Sequence, residues 1–115
     1  MTITRLHTNE RSSKIVIHNQ TIYLTGQVAK DRNSDITTQT EQVIEKIEAL
    51  LGEAGSNKNK MLSVQIWLSN IAHFSAMNLV WNQWIDEGNQ PARATIEARL
   101  AAPELLVEMS VIAAQ

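Results

Sequence analysis

With no cysteine among 115 residues, the chemistry of this chain must come from carboxylates, guanidinium groups, hydroxyls and imidazoles. That absence removes disulfides, thiolate catalysis and Cys-ligated metal. Glu108 interrupts Leu105 to Ala114, the most apolar stretch in the sequence. Two-residue periodicity puts Leu105, Val107, Met109, Val111 and Ala113 on one strand face, and Leu106, Glu108, Ser110, Ile112 and Ala114 on the other. A carboxylate there either meets water on a polar sheet surface, the common case, or sits in a cleft where it can orient water and exchange protons. Arg93 follows Pro91-Ala92 at the start of a strand. Such an arginine is ordinarily solvated or paired with a neighbour such as Glu97. Its planar fork can instead hold a small carboxylate through two parallel hydrogen bonds. Gly26, beside Thr25, breaks a good strand and marks either a bulge or a close approach to the backbone.

Other chemistries find no foothold. His7, His18 and His73 are scattered, none four residues from another His, so no metal site is expected. There is no nucleophile elbow, P-loop or glycine-rich dinucleotide turn. Ten Lys and Arg against twelve Asp and Glu give a net charge of −2 without a basic cluster, which excludes a generic nucleic-acid surface. Trp67, Trp81 and Trp84 therefore read as core or subunit-contact residues, not as a base-stacking platform. No apolar run approaches the roughly 20 residues of a membrane span. The stretch from Met1 to Glu10 has no hydrophobic signal region. The expectation is a cytoplasmic protein with no membrane partner.

These residues need a scaffold, and 43% hydrophobic with 19% charged content supplies one, read as a single domain over residues 1–115. Ile15 to His18, the pair Asn19-Gln20, and Thr21 to Val28 read as a hairpin. Ile36, Thr40, Val43, Ile44, Ile47, Leu50, Leu51 and Ala54 recur at helical spacing, capped by Ser34 or Asp35 and stopped by Gly55. Lys60 to Leu68 follows as a strand with Leu62, Val64, Ile66 and Leu68 on one face. A second helix, capped by Ser69 or Asn70, carries Phe74, Met77, Trp81, Trp84 and Ile85 and ends at Gly88. Arg93 to Leu100 and Leu105 to Ala114 are the last two strands. The predicted order is ββαβαββ, an α+β fold with a mixed sheet and both helices packed on one face.

In this order and spacing, Thr25-Gly26-Gln27, the helix from Asp35, Phe74-Ser75-Ala76-Met77-Asn78, Pro91-Ala92-Arg93 and Val107-Glu108-Met109 resemble the Rid family, the YjgF-type reactive intermediate deaminases. The resemblance implies a chorismate-mutase-like fold and a homotrimer with three clefts between subunits. It implies that Arg93 binds the carboxylate of a 2-imino acid and that Glu108 positions or activates the hydrolytic water, with no cofactor. Thr25, Gly26, Thr95 (where many members carry Cys) and Asn78 would line the cleft. The implied reaction converts 2-imino acids to 2-keto acids and ammonia. The alternative is a non-enzymatic module that binds small carboxylates on the same trimer. The family's N-terminal Gly-Pro-Tyr is missing; Glu10-Arg11-Ser12-Ser13-Lys14 stands there, marking a divergent subgroup. A ribonuclease fits the charge balance poorly, and no His pair is available for acid–base work.

Overall fold

β-Branched residues crowd the first quarter of the chain, and there the backbone is extended. The structure is a computed structural model that describes residues 2–115; Met1 lies outside the described residues. Strands β1 (Thr4–Thr8), β2 (Ser13–His18), β3 (Thr21–Leu24) and β4 (Gln27–Val28) precede helix α1 (Ile36–Glu53). Then come β5 (Met61–Leu68), helix α2 (Phe74–Trp84), β6 (Ala92–Glu97) and β7 (Val107–Ala114). One sheet forms in the order β1-β2-β3-β7-β5-β6, with β4 also on β7. Every pairing is antiparallel except β5–β6, whose connection through α2 is a parallel crossover. The buried rows of the sheet and of both helices share one core, so the mixed sheet with helices on one face is as expected.

The predicted ββαβαββ order needs correction in its first half. A further strand, β1, pairs with β2 from Thr4–Ile17 to Thr8–Ser13. Its sequence is largely polar and exposed, so alternation gave no signal for it. The arm read as Thr21 to Val28 divides at Thr25-Gly26 into β3 and β4, where the glycine was expected to interrupt it. Asn19 and Gln20 both lie at positive φ, 52° and 62°, which is what a two-residue type I′ turn requires.

Helix ends follow their local chemistry. Asp35 caps α1 by accepting the Thr38 N–H at 2.9 Å. That bond holds its carboxyl below the ordinary value of 3.8, so the cap's contribution is complete above that pH and is lost as acid protonates the carboxylate. Gly55, at φ 81°, follows the Ala54 C-cap. Asn70 caps a short 3₁₀ turn, Ile71–His73, that runs into α2. The helix then ends at Trp84, before the expected Gly88.

A register shift between Met61 and Ser63 corrects the expected face of β5. The extra residue puts Met61 in the core with Val64, Ile66 and Leu68 and leaves Leu62 51% exposed. The last two strands are also shorter than expected: residues 98–106 form their connection. What fixes the start of β7 is Gln39 of α1, which is fully buried. Its Nε2 donates to the Ser34 and Glu104 carbonyls at 3.1 and 2.9 Å, and its Oε1 accepts the Leu106 N–H at 2.9 Å. Gln39→Leu would strand these groups, so urea denaturation should show a loss of about 2 kcal/mol or more, and an unchanged midpoint would contradict this role.

Candidate functional site

The residues singled out from sequence form two groups, one on each face of the sheet. β6 is an edge strand, and in its parallel pairing Arg93 sits beside Val64, Thr95 beside Ile66 and Glu97 beside Leu68. Their partners belong to the buried row, so these three residues share the helix-covered face. There α2 presents Phe74, Asn78 and Trp81, spaced to fall on one side of a helix. The Arg93 Cζ lies 5.0 Å from the Trp81 ring centroid and 5.8 Å from that of Phe74, within cation–π range.

The arrangement corrects one alternative for Arg93. Glu97 does not pair with it, because Glu97 Oε1 accepts the Ile71 N–H at 2.9 Å. Among the described residues no carboxylate lies within the 4.0 Å of an ion pair with Arg93. Partial burial strips water from the guanidinium and pushes its pKa below the ordinary value, although an arginine stays charged. Asn78 Oδ1 and Thr95 Oγ1 are also buried, and neither has a hydrogen-bond partner among the described residues. An unpaired cation with a free fork, an unpartnered amide carbonyl and an unpartnered hydroxyl thus lie between one helix and one strand. Such a set suits an anion that carries a hydrogen-bond donor close by.

Glu108 belongs to the other face. In β7 it sits beside Trp67 of β5 and Val28 of β4, between the fully buried Val107 and Met109. Its side chain lies against the break in the second arm. A Cβ added to Gly26 would overlap Glu108 Oε2 and come within 3.0 Å of Cδ. Gly26 is therefore a close approach, and what approaches is the carboxylate itself. Thr25 N–H donates to the Lys14 carbonyl at 3.0 Å, tying the break to β2. Thr25, Gly26 and Glu108 form the second group.

The two groups do not meet within one chain. Arg93 is level with Val64 and Glu108 with Trp67, three residues along and two strands across. That separation is about 10 Å in each direction, and the side chains leave opposite faces. Among the described residues no three His, Asp or Glu side chains converge as a metal cage, and His7 Nε2 pairs with Glu53 Oε2 at 2.5 Å. A cleft of about 700 Å³ beside Ser69, Arg99 and Pro103 contains none of the predicted site residues. Sequence reasoning missed the contact of Arg93 with Phe74 and Trp81. Their spacing identifies a helix face, but only the topology brings β6 alongside it.

Comparison with known proteins agrees with this architecture. The profile of the family described as Endoribonuclease L-PSP matches residues 2–115. The RutC family protein YoaB of Escherichia coli is 40% identical over 114 residues, covering 99% of each chain. The chain belongs to the Rid (YjgF/RutC) family. A RutC family protein of Haemophilus ducreyi is 38% identical over 112 residues, 97% of this chain and 96% of its own. Among solved structures, an uncharacterized Pseudomonas aeruginosa protein superposes with a TM-score of 0.96 at 40% identity, covering 99% of both chains. YyfA of Yersinia pestis, described as a member of the conserved Rid protein family, gives 0.87 at 30% identity over 94% of this chain and 90% of its own. The chorismate-mutase-like α+β fold expected for a Rid-family chain is present.

The contact at Gly26 can be tested in isolation. In Gly26→Ala the overlap falls on the end of a flexible side chain, so the fold should persist while the Glu108 carboxylate swings away. A crystal structure of the variant checks this; a carboxylate that stays in place would contradict the close approach.

Proposed function

We propose that this Rid-family chain hydrolyses reactive 2-imino acids to 2-keto acids and ammonia, in clefts formed between subunits of a homotrimer. The observation that carries the reading is the Arg93 guanidinium, desolvated and unpaired, with its hydrogen-bonding fork free. It would grip the substrate carboxylate. Asn78 and Thr95 would line the same pocket, and Thr25-Gly26 and Glu108 would come from another copy. Water adds to the electrophilic carbon of the protonated imine as Glu108 accepts one of its protons, giving a neutral tetrahedral carbinolamine. Glu108 returns that proton to nitrogen, the C–N bond breaks as the hydroxyl oxygen forms the C=O bond, and the hydroxyl proton leaves to solvent with the departing ammonia. Holding the two reactants together supplies most of what so reactive a substrate needs, and no cofactor takes part.

The separation of the two groups supports an assembly, since a small acid cannot touch both within one chain. The uncovered sheet face supports it as well. Both helices lie on the other side, and Tyr23, at 44%, and Ile96, at 52%, remain exposed there with Val16, Trp67 and Ile112 alongside. Apolar surface of that kind favours burial against another copy. Light scattering at micromolar concentration should give the mass of three chains; a monomer would contradict the proposal.

The turn between β1 and β2 favours a second reading, a binding module for 2-keto acids. It is closed by Asn9 Oδ1, which accepts the Arg11 and Ser12 N–H groups at 2.7 and 2.9 Å, and it offers no aromatic to cover a substrate. Measured keto-acid release from 2-iminopropanoate separates the two. Wild type should accelerate release over the spontaneous rate, and Arg93→Ala should lower kcat/KM by about 10- to 100-fold, the worth of a charge-assisted pair. Glu108→Gln should lower kcat by about 100-fold while changing KM much less. No acceleration by wild type would leave only the binding module.

A further inference from the structure

We propose that Phe74 and Trp81 are positioning residues that hold the Arg93 guanidinium ready for a carboxylate, in the way an acidic partner would, but without neutralising it. The proposal rests on the reading that Arg93 binds the substrate carboxylate. An arginine side chain has several freely rotating bonds, and ordering it on binding weakens affinity. An Asp or Glu partner would fix it but would occupy its fork and compete with the ligand. Ring faces attract the cation through their quadrupole and hold no strong acceptor, so the N–H donors stay free.

The distances fit this role. Arg93 Cζ is 5.0 Å from the Trp81 centroid and 5.8 Å from that of Phe74, and it has no carboxylate partner among the described residues. Trp81 is itself immobilised. It is 6% exposed and packs edge-on against Trp84, with centroids 5.5 Å apart at 71°. Trp84 Nε1 donates to Glu48 Oε1 of α1 at 2.6 Å, and Lys58 Nζ donates to the Trp84 carbonyl at 2.6 Å. The position of Trp81 is thus set by the docking of α2 on α1. Phe74, at the first turn of α2 and 38% exposed, is the outer ring.

Phe74 is the one phenylalanine in the sequence, which allows a substitution of electronics alone. Biosynthetic replacement by trifluorophenylalanine alters only position 74, keeping ring shape while weakening the negative face. The readout is the Kd for 2-oxobutanoate by calorimetry, with melting temperature and the split between KM and kcat alongside. Fluorination, Phe74→Leu and Trp81→Leu should each weaken binding by about three- to tenfold, with KM rising and kcat little changed. Trp81→Phe should restore most of the loss. If Trp81→Leu does not fold, the two changes at Phe74 decide the matter. Binding that Arg93→Ala abolishes, but that fluorination and leucine leave intact, overturns the positioning role and leaves the proposed function standing. Failure of wild type to bind the keto acid overturns carboxylate recognition by Arg93, and this proposal with it.

Discussion

A positive charge partly withdrawn from water, with no negative charge to answer it, governs how the other features of this chain relate to one another. The guanidinium of Arg93 loses hydration at the junction of β6 and α2, and burial alone lowers its pKa. An unpaired charge in such a place costs stability. Two aromatic rings offset part of that cost. In the proposed function the remainder is available to a bound anion, and the buried, unpartnered Asn78 and Thr95 side chains would line the same space. Supporting residues extend from there into the core: Trp81 rests on Trp84, and Trp84 on Glu48 of the long helix.

The sheet imposes the second constraint. A strand sends alternate side chains to opposite faces, so Arg93 beside Val64 and Glu108 beside Trp67 belong to different surfaces. Gln39 anchors the entrance to β7, and Gly26 makes room for the carboxylate that β7 carries. Each group is thus built by the fold of one chain, and in the proposed function the pair is completed by another copy. Under the proposed function assembly and chemistry become a single requirement: the apolar sheet face left bare by the helices would draw copies together, and that contact would bring the halves into register.

The sequence was most legible where local chemistry decides the outcome. Asp35, Gly55 and the Asn19-Gln20 turn marked element boundaries because caps and positive-φ turns depend on a few adjacent residues. The alternation in β7 read cleanly because one face is buried along its whole length. β1 was missed because Thr-Arg-Leu-His-Thr is mostly exposed and shows no apolar period. Leu62 was misplaced because a bulge is a property of two paired strands, and one strand's sequence does not reveal the shift. At the site, Gly26 and Glu108 were each visible as an exception to its strand, yet their mutual contact depends on pairing between distant segments. Trp81 read as core or subunit contact, and it is buried in the core; that it also faces an arginine follows from the parallel crossover that brings β6 beside α2.

A crystal structure of the protein grown with 2-oxobutanoate tests the central claim most directly. The account predicts both carboxylate oxygens on the Arg93 fork, beside Asn78 and Thr95, with the keto carbon facing Glu108 of a neighbouring subunit. A keto acid bound elsewhere, or a pocket at Arg93 closed off from every Glu108 in the assembly, would contradict it.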